Sequence, residues 1–258
     1  MGPGPGRGPR RRGVTPARLE VRDGRVTWSS RPPVVLRRTG ASRVHVVQVG
    51  GGPLGGDALA LDVVVGAGQL LELCSAAATV VQPGRTPGAA ATFVVTASVE
   101  TRATLVWRPE PTVVTDGAVW APRLSLRLAE GAAASVVEQV VLGRAGQRGG
   151  RVASTLDVRV GDRPLLVTTT HLDGADPALT GPGGTAGARS VGTVLTAGST
   201  GGPGTDEDGG DDGDAVWART PLAGPGTLLT ALGTPRAVAG VLADQCPSVD
   251  PARETPAS

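Results

Sequence analysis

The sequence predicts a mainly β protein: a solenoid-like or β-helical scaffold of two layers, built from many short strands, with a few short helices toward the C-terminus. The first observation is a period-two alternation of apolar and polar residues through residues 18–172, which is typical of strands with one buried face. The second is that helical periodicity is rare in the same region. The third is that aromatic residues make up only 2% of the 258 residues, so Val, Leu and Ala must form the core.

The alternation is clearest in three segments. Large apolar residues at every second position of residues 59–65 share one face. Residues 123–128 alternate Leu with Arg or Ser, and residues 156–160 repeat the pattern. Valine is frequent throughout, and its β-branched side chain loses less rotamer freedom in a strand than in a helix. We therefore expect half-buried strands in all three segments.

Two of these segments also resemble each other. Each has a strand, a Gly-Ala turn and a second strand, with the turns at residues 66–67 and 131–132. Strand–turn units that stack in this way bury a continuous core as a sandwich or a solenoid. Two copies do not establish a repeat, but they favour an all-β architecture.

One β domain is expected over residues 18–245. Residues 1–17 are rich in Gly, Pro and Arg, and we expect them to be a disordered tail because such a composition cannot bury a core. Residues 246–258 are expected to be a frayed C-terminal tail.

The end of the domain departs from the strand pattern. Residues 198–214 read GSTGGPGTDEDGGDDGD and are expected to be a disordered acidic insertion, because dense acidic and Gly-rich runs seldom order. Residues 227–232 and 235–245 are expected to form short helices, and Pro235 suits the first turn of the second one.

Charge and hydropathy argue against two classes of protein. The formal net charge of +2 is nearly balanced, and the basic run Arg10-Arg11-Arg12 lies in the tail, unlike the basic face of a nucleic-acid-binding fold. No apolar stretch is long enough to span a bilayer, and no apolar run follows the arginines as a secretion signal requires. Cys74 and Cys246 lie in dissimilar contexts and predict no disulfide framework. We expect a cytoplasmic protein that contacts neither nucleic acid nor membrane.

A Gly-rich segment matches the dinucleotide-binding pattern G-x-G-x-x-G, but its context is wrong. That fold requires a helix after the glycines, whereas an alternating strand begins at Leu59. Glycines that make a tight turn between two strands are the better explanation. The turn residues would be Gly51, Gly52, Gly55 and Gly56.

Residues for catalysis are also missing. The chain has no lysine and therefore no phosphate-binding P-loop, and it has no G-x-S-x-G motif. His45 and His171 stand alone, and the two His and two Cys show no metal-ligand spacing. We therefore expect no enzyme activity, no catalytic residue and no tightly bound cofactor.

Several unusual segments, taken in order, resemble the UreD (UreH) family of urease accessory proteins over about residues 19–174. They read PPVVLRR from residue 32, VGGGPLGGD from 49, LCSAAAT from 73, LVWRPEPT from 105, LAEGA from 128 and GDRPLL from 161. One segment departs from the family pattern Thr-Thr-Gln-Ala-Ala-Thr-Lys-Val-Tyr. Its Gln, Lys and Tyr are replaced by Ala76, Val80 and Gln82.

The resemblance implies a scaffold that binds the accessory proteins UreF and UreG and the urease subunits, and that assists GTP-dependent insertion of nickel into urease. GTP hydrolysis would belong to UreG, and nickel would pass only transiently through the interior of the scaffold. A moving cation needs weak oxygen ligands in an otherwise apolar core. The candidate residues at family-like positions are Asp57, Ser75, Thr79 and Glu138.

Structural roles for these four residues remain open. Asp57 is also suited to capping a turn, Ser75 and Thr79 to bonding the backbone, and Glu138 to pairing with Arg144. Two other functions remain open as well: a β-sandwich or cupin-like enzyme acting on a small molecule, and a β-solenoid binding module unrelated to urease.

Overall fold

The computed structural model describes residues 14–198 and 208–246. The described residues form eighteen strands and two helices. The strands are β1 (Ala17–Arg22), β2 (Arg25–Ser29), β3 (Val34–Arg38), β4 (Arg43–Gln48), β5 (Ala58–Val65), β6 (Leu70–Ser75), β7 (Thr79–Val81), β8 (Ala90–Val99), β9 (Thr104–Arg108), β10 (Thr112–Val114), β11 (Val119–Leu128), β12 (Ala133–Leu142), β13 (Arg151–Val160), β14 (Arg163–Asp173), β15 (Ser190–Gly198), β16 (Gly209–Asp211), β17 (Ala215–Pro221) and β18 (Gly226–Gly233). The helices are α1 (Pro177–Thr180) and α2 (Pro235–Gln245).

The strands form two sheets with the main core between them. The first sheet has the order β14-β13-β11-β8-β5-β1-β2. The second has the order β16-β17-β18-β15-β12-β9-β6-β4-β3, with the short strands β7 and β10 attached through β12. The core cluster takes Leu61 and Leu126 from the first sheet and Leu73 and Leu105 from the second. The expected mainly β, solenoid-like fold of two layers is confirmed.

Parallel strands stack in register through the middle of both sheets. Leu61, Val95, Leu124 and Leu156 are successive partners in β5, β8, β11 and β13. In the second sheet β6 pairs parallel with β9, and β9 with β12. The chain therefore crosses from one sheet to the other and returns one strand further along, as in a solenoid. A fully buried Leu contributes about 1.5–3 kcal/mol to folding, so these ladders hold the two layers together.

The two similar strand–turn–strand segments found in the sequence each form part of one of these coils. The Gly-Ala turns at residues 66–67 and 131–132 join β5 to β6 and β11 to β12. The coil between them, β8 to β9, turns at residues 100–103 without that pair and was therefore missed. Three successive coils, rather than two, share the arrangement.

The Gly-rich segment with Gly51, Gly52, Gly55 and Gly56 connects β4 to β5. A Cβ on Gly52 would lie 2.1 Å from the carbonyl oxygen of Val80, and the φ angle of Gly52 is +96°. Glycine is required there because the backbone of the next coil passes too closely for a side chain. No helix follows the segment, in agreement with the rejection of a dinucleotide site.

The C-terminal region corrects two expectations. Residues 227–232 are not a helix, because they lie in β18 and pair with both β15 and β17. Leu229 and Ala231 are buried at alternate positions, a period of two that a short apolar run conceals. The expected helix over residues 235–245 is confirmed as α2.

The acidic segment is only partly described. Residues 199–207 lie outside the described residues. The following residues are ordered, contrary to the expected disorder, because β16 pairs with β17. The Oδ1 atom of Asp212 accepts hydrogen bonds from the backbone N–H groups of Asp214 and Ala215, which fixes the turn between the two strands. The two tails expected at residues 1–17 and 246–258 also lie largely outside the described residues, which exclude 1–13 and 247–258.

Helix α2 packs on the outer face of the second sheet. Its first turn is capped by Thr234, whose side chain accepts a hydrogen bond from the N–H of Ala237. Val238 and Leu242 are buried against Gly192 of β15. A Cβ on Gly192 would lie 2.6 Å from Cγ1 of Val238 and 2.7 Å from Cδ1 of Leu242. The absence of a side chain at Gly192 therefore sets how closely the helix approaches the sheet.

We expect Gly192→Val to lower the free energy of unfolding by about 1–3 kcal/mol, because it overpacks the contact between α2 and β15. Urea denaturation measures the change. Gly240→Ala is the matched control, since a Cβ there meets no atom within 4 Å. That variant should gain about 1 kcal/mol through helix propensity. Equal destabilisation by both substitutions would contradict the packing argument.

Candidate functional site

A cavity of about 180 Å³ lies between the two sheets. Strands β8, β11 and β13 of the first sheet form one wall, and β4, β6, β9 and β12 of the second form the other. Most of the lining side chains are apolar. They include Phe93, Val95, Trp107, Trp120, Leu124 and Leu156.

The aromatic residues of the chain are concentrated at this cavity. The chain has four Trp and one Phe, and Phe93, Trp107 and Trp120 are among the residues that line it. Elsewhere the core is built from Leu, Val and Ala. A polar group at this place is therefore surrounded by large apolar surfaces, which weaken its contact with water.

Glu138 is the acidic residue in the interior of the cavity. It lies on β12 at an inward position, in phase with the core residues Ala134 and Val136. The residue is half-buried and lines the cavity. The hydroxyl of Ser154 donates a hydrogen bond of 2.6 Å to Oε1. Within the described part of the chain, Ser154 is the only hydrogen-bond partner of this carboxylate, so the alternative pairing with Arg144 is not formed.

Burial raises the pKa of the Glu138 carboxyl above its usual range, because the apolar surroundings disfavour the charged form. The hydrogen bond from Ser154 acts in the opposite direction and lowers the pKa, but it does not outweigh burial. The apolar surroundings therefore disfavour the charged form of Glu138 relative to a carboxyl group in water.

The cavity reaches the surface at the corner between β6 and β7. The exposed residues 76–78, all alanine, line it together with the exposed Glu110. Ser75 and Thr79 flank the alanines and also line the cavity. The Ser75 hydroxyl donates to the carbonyl of Ala77 at 3.1 Å and accepts from the N–H of Glu110 at 2.8 Å. These two hydrogen bonds fix the backbone at the rim of the opening, and the hydroxyl oxygen of Ser75 lies at that rim.

The structure brings three of the four sequence candidates together. Ser75, Thr79 and Glu138 line one cavity, whereas Asp57 is exposed and does not line it. The Oδ2 atom of Asp57 accepts a hydrogen bond of 2.9 Å from the N–H of Leu54, which is the turn-capping role. Asp57 is therefore left out of the candidate site.

Ser154 is the residue that sequence reasoning missed. It occupies an inward position of β13, between the buried residues Val152 and Leu156. The available signal was a polar residue in the apolar phase of an alternating strand. That signal is weak by itself, because only the folded structure shows that the opposite sheet presents a carboxylate to it.

A second charged cluster lies on the outer face of the second sheet. Glu72 is only 4% exposed, and Nε of Arg43 donates to its Oε2 at 2.6 Å, while Arg108 bonds its Oε1. Burial alone would raise the pKa of Glu72, but hydrogen bonds and charges from Arg108 and Arg43 hold the pKa of its carboxyl below the usual range. The thiol of Cys74 lies 3.8 Å from Oε1 of Glu72, on this outer side.

Burial likewise raises the pKa of the Cys74 thiol, and the neighbouring Glu72 charge adds to the effect. The sheet itself separates this cluster from Glu138. The cluster stabilises the outer face, and of its residues Cys74 also lies at the wall of the cavity.

In the described residues no group of three or more His, Cys, Asp and Glu side chains is arranged to hold a metal ion. No helix in the same residues has the length and apolar character needed to cross a membrane. The oxygen groups that line the cavity include the carboxylate of Glu138 and the hydroxyls of Ser75, Thr79 and Ser154.

Comparison with known proteins gives a consistent result. The family described as UreD urease accessory protein matches residues 17–237. The urease accessory protein UreD of Parafrankia sp. (strain EAN1pec) is 41% identical over 224 residues, which cover 78% of this chain and 74% of the relative. UreD of Frankia alni is 39% identical over 237 residues, covering 85% and 76%. UreD 2 of Saccharopolyspora erythraea is 38% identical over 201 residues, covering 76% and 71%.

We expect Glu138→Gln to stabilise the protein at neutral and alkaline pH. The raised pKa means that wild-type stability falls as the pH rises from the ordinary Glu range through the pKa of the folded state. Gln stays neutral and can accept the same hydrogen bond from Ser154. The variant should therefore have the higher Tm at about pH 8, and the two proteins should nearly coincide at about pH 4. A constant Tm difference across this range would contradict the assignment.

Glu72→Gln should behave in the opposite way. The lowered pKa of Glu72 means that its contribution to stability is present above the ordinary Glu range and is lost as the pH falls through the pKa of the folded state. At neutral pH we expect a loss of roughly 1–3 kcal/mol, since Arg43 and Arg108 lose a buried partner. Urea denaturation at about pH 7 and about pH 4 measures it, and the loss should shrink at the lower pH. A loss that grows on acidification would be inconsistent with this role.

Proposed function

Because the chain belongs to the UreD family of urease accessory proteins, we propose that it is an assembly scaffold that binds UreF, UreG and the subunits of apo-urease and assists GTP-dependent insertion of nickel into the urease active site. The observation that carries the nickel part of the proposal is the cavity between the sheets. It contains one buried carboxylate and reaches the surface at the corner with the three alanines.

The chemistry of the cavity suits passage better than storage. Nickel binds readily to imidazole, thiolate and carboxylate groups, and a resident site would combine several of them. Here Glu138 supplies one carboxylate, and the hydroxyls of Ser75, Thr79 and Ser154 are weaker oxygen donors. Water completes the coordination of the moving ion, so that the ion is held briefly and can leave.

Charge balance gives Glu138 a specific part in this passage. Burial raises the pKa of its carboxyl, so the charged form is disfavoured while the cavity is empty. A divalent cation binds the carboxylate form, and its entry offsets the cost of an unpaired charge in an apolar interior.

The opening of the cavity lies in the segment that departs from the family pattern. Ala76 is exposed at the rim, where the family carries Gln. Gln82, in place of Tyr, donates from Nε2 to the carbonyl of Gly51 at 2.9 Å and so ties the Gly-rich connection to the neighbouring coil. The small residues at 76–78 leave the opening unobstructed, which supports this corner as a point where nickel enters or leaves.

GTP hydrolysis is assigned to UreG in this proposal, since the chain has no lysine and thus no P-loop. The chain itself acts without catalysis, in the cytoplasm, by bringing the nickel-carrying GTPase to apo-urease. A cupin-like enzyme would need clustered His and acidic ligands, and the candidate cavity has one carboxylate inside.

Co-expression tests the proposal. The urease subunits, UreF and UreG of the host are produced with and without this chain, and urease activity and bound nickel are measured. We expect both to fall when the chain is omitted, and the chain to co-purify with UreF. Full activity without the chain, with no co-purification, would leave the binding module unrelated to urease as the better reading.

Within the same system, Glu138→Gln should reduce the nickel content and activity of urease severalfold. Asp57→Asn is the matched control, because it removes one carboxylate charge outside the cavity and keeps an acceptor for Leu54. We expect Asp57→Asn to activate urease as the wild type does. Glu138→Gln is expected to fold stably, so a loss of function in this variant would not reflect misfolding. Normal nickel loading of urease by the variant would contradict passage of nickel through the cavity.

A further inference from the structure

The contact between Ser154 and Glu138 joins the two sheets across the cavity. Ser154 belongs to β13 of the first sheet and Glu138 to β12 of the second. Their hydrogen bond of 2.6 Å is therefore formed only when the two layers are packed together. It fixes one oxygen of an otherwise unrestrained carboxylate.

Ser154 lies where a polar group is unfavourable, because this position faces the apolar interior. Ser154 is 5% exposed and lies in phase with Val152 and Leu156. Burying a hydroxyl without a partner is unfavourable, and a serine is tolerated there because it bonds Glu138. The next residue, Thr155, serves as a comparison within the same strand, because its hydroxyl lies 3.0 Å from that of Thr169.

We propose that Ser154 is a positioning residue for a divalent cation in the cavity. It holds Oε1 of Glu138, so that Oε2 faces the cavity and binds the ion. No described residue donates a hydrogen bond to Oε2, which leaves that oxygen available. The inference rests on the proposed passage of nickel through the cavity and adds the residue that orients its interior ligand.

The hydroxyl of Ser154 restricts the rotation of the Glu138 carboxyl group, so that less conformational freedom is lost when the ion binds. Loss of a group that hydrogen-bonds a ligand in this way typically weakens metal affinity 10–100-fold.

The test measures Ni²⁺ binding to the purified full chain by equilibrium dialysis at neutral pH, with the Tm of each variant recorded in parallel. We expect Ser154→Ala to weaken Ni²⁺ binding by about 10–100-fold. Ser154→Thr, which keeps the hydroxyl and places its methyl group toward the cavity, should restore most of the affinity. Thr155→Val removes the neighbouring hydroxyl, which is hydrogen-bonded with Thr169 rather than with Glu138, and should bind Ni²⁺ as the wild type does.

Glu138→Gln separates failure of this inference from failure of the proposed function. If Glu138→Gln abolishes the binding while Ser154→Ala leaves it unchanged, the positioning role is overturned and the nickel route stands. If Ser154→Ala weakens binding but Ser154→Thr does not restore it, or Thr155→Val weakens it equally, the effect is structural and the inference is likewise overturned. Binding that is absent in the wild type overturns the positioning role alone, because a passing ion need not be retained. Binding that is indifferent to Glu138→Gln overturns both.

Discussion

In-register stacking of parallel strands is the constraint on which the rest of the structure depends. Neighbouring strands lie about 4.8 Å apart, and a slip of one residue would turn every side chain of a strand to the other face. The ladder from Leu61 through Val95 and Leu124 to Leu156 shows that the same alternate residues face inward in four successive strands of the first sheet. The same phase that directs these residues inward also directs Ser154 inward, two positions before Leu156.

The two buried acids show how position relative to a sheet determines chemistry. Glu72 faces outward between two arginines, and their charges stabilise its ionised form. Glu138 faces inward between apolar walls with one hydroxyl for a partner, and burial raises the pKa of its carboxyl. Both residues lie on strands of the second sheet, and they differ in which face of that sheet their side chains occupy. The side of the sheet decides whether the acid serves stability or remains available for a cation.

Local pattern was enough for much of the fold. The alternation of Leu with Arg and Ser identifies β11 because one face of this strand packs in the core and the other face is more exposed to solvent. Residues 227–232 were misread because a short apolar run with only small polar interruptions carries no distinct period. The third coil was missed because its turn at residues 100–103 lacks the Gly-Ala pair. The family resemblance supplied Glu138, whereas its partner Ser154 comes from the opposite sheet, and no spacing in the chain encodes that contact.

Stacked coils also determine where the molecule opens spontaneously. Each coil contacts its neighbours, so strands with a neighbour on both sides are held more firmly than strands at an edge. Strands β2 and β14 are the edges of the first sheet, and β8 and β11, which wall the cavity, lie inside it. Fraying and amide hydrogen exchange therefore begin at the ends of the stack, while the central coils stay closed. The inner strands that carry the cavity residues therefore stay packed even while the outer strands fluctuate, and the exposed residues 76–78 form one edge of the cavity.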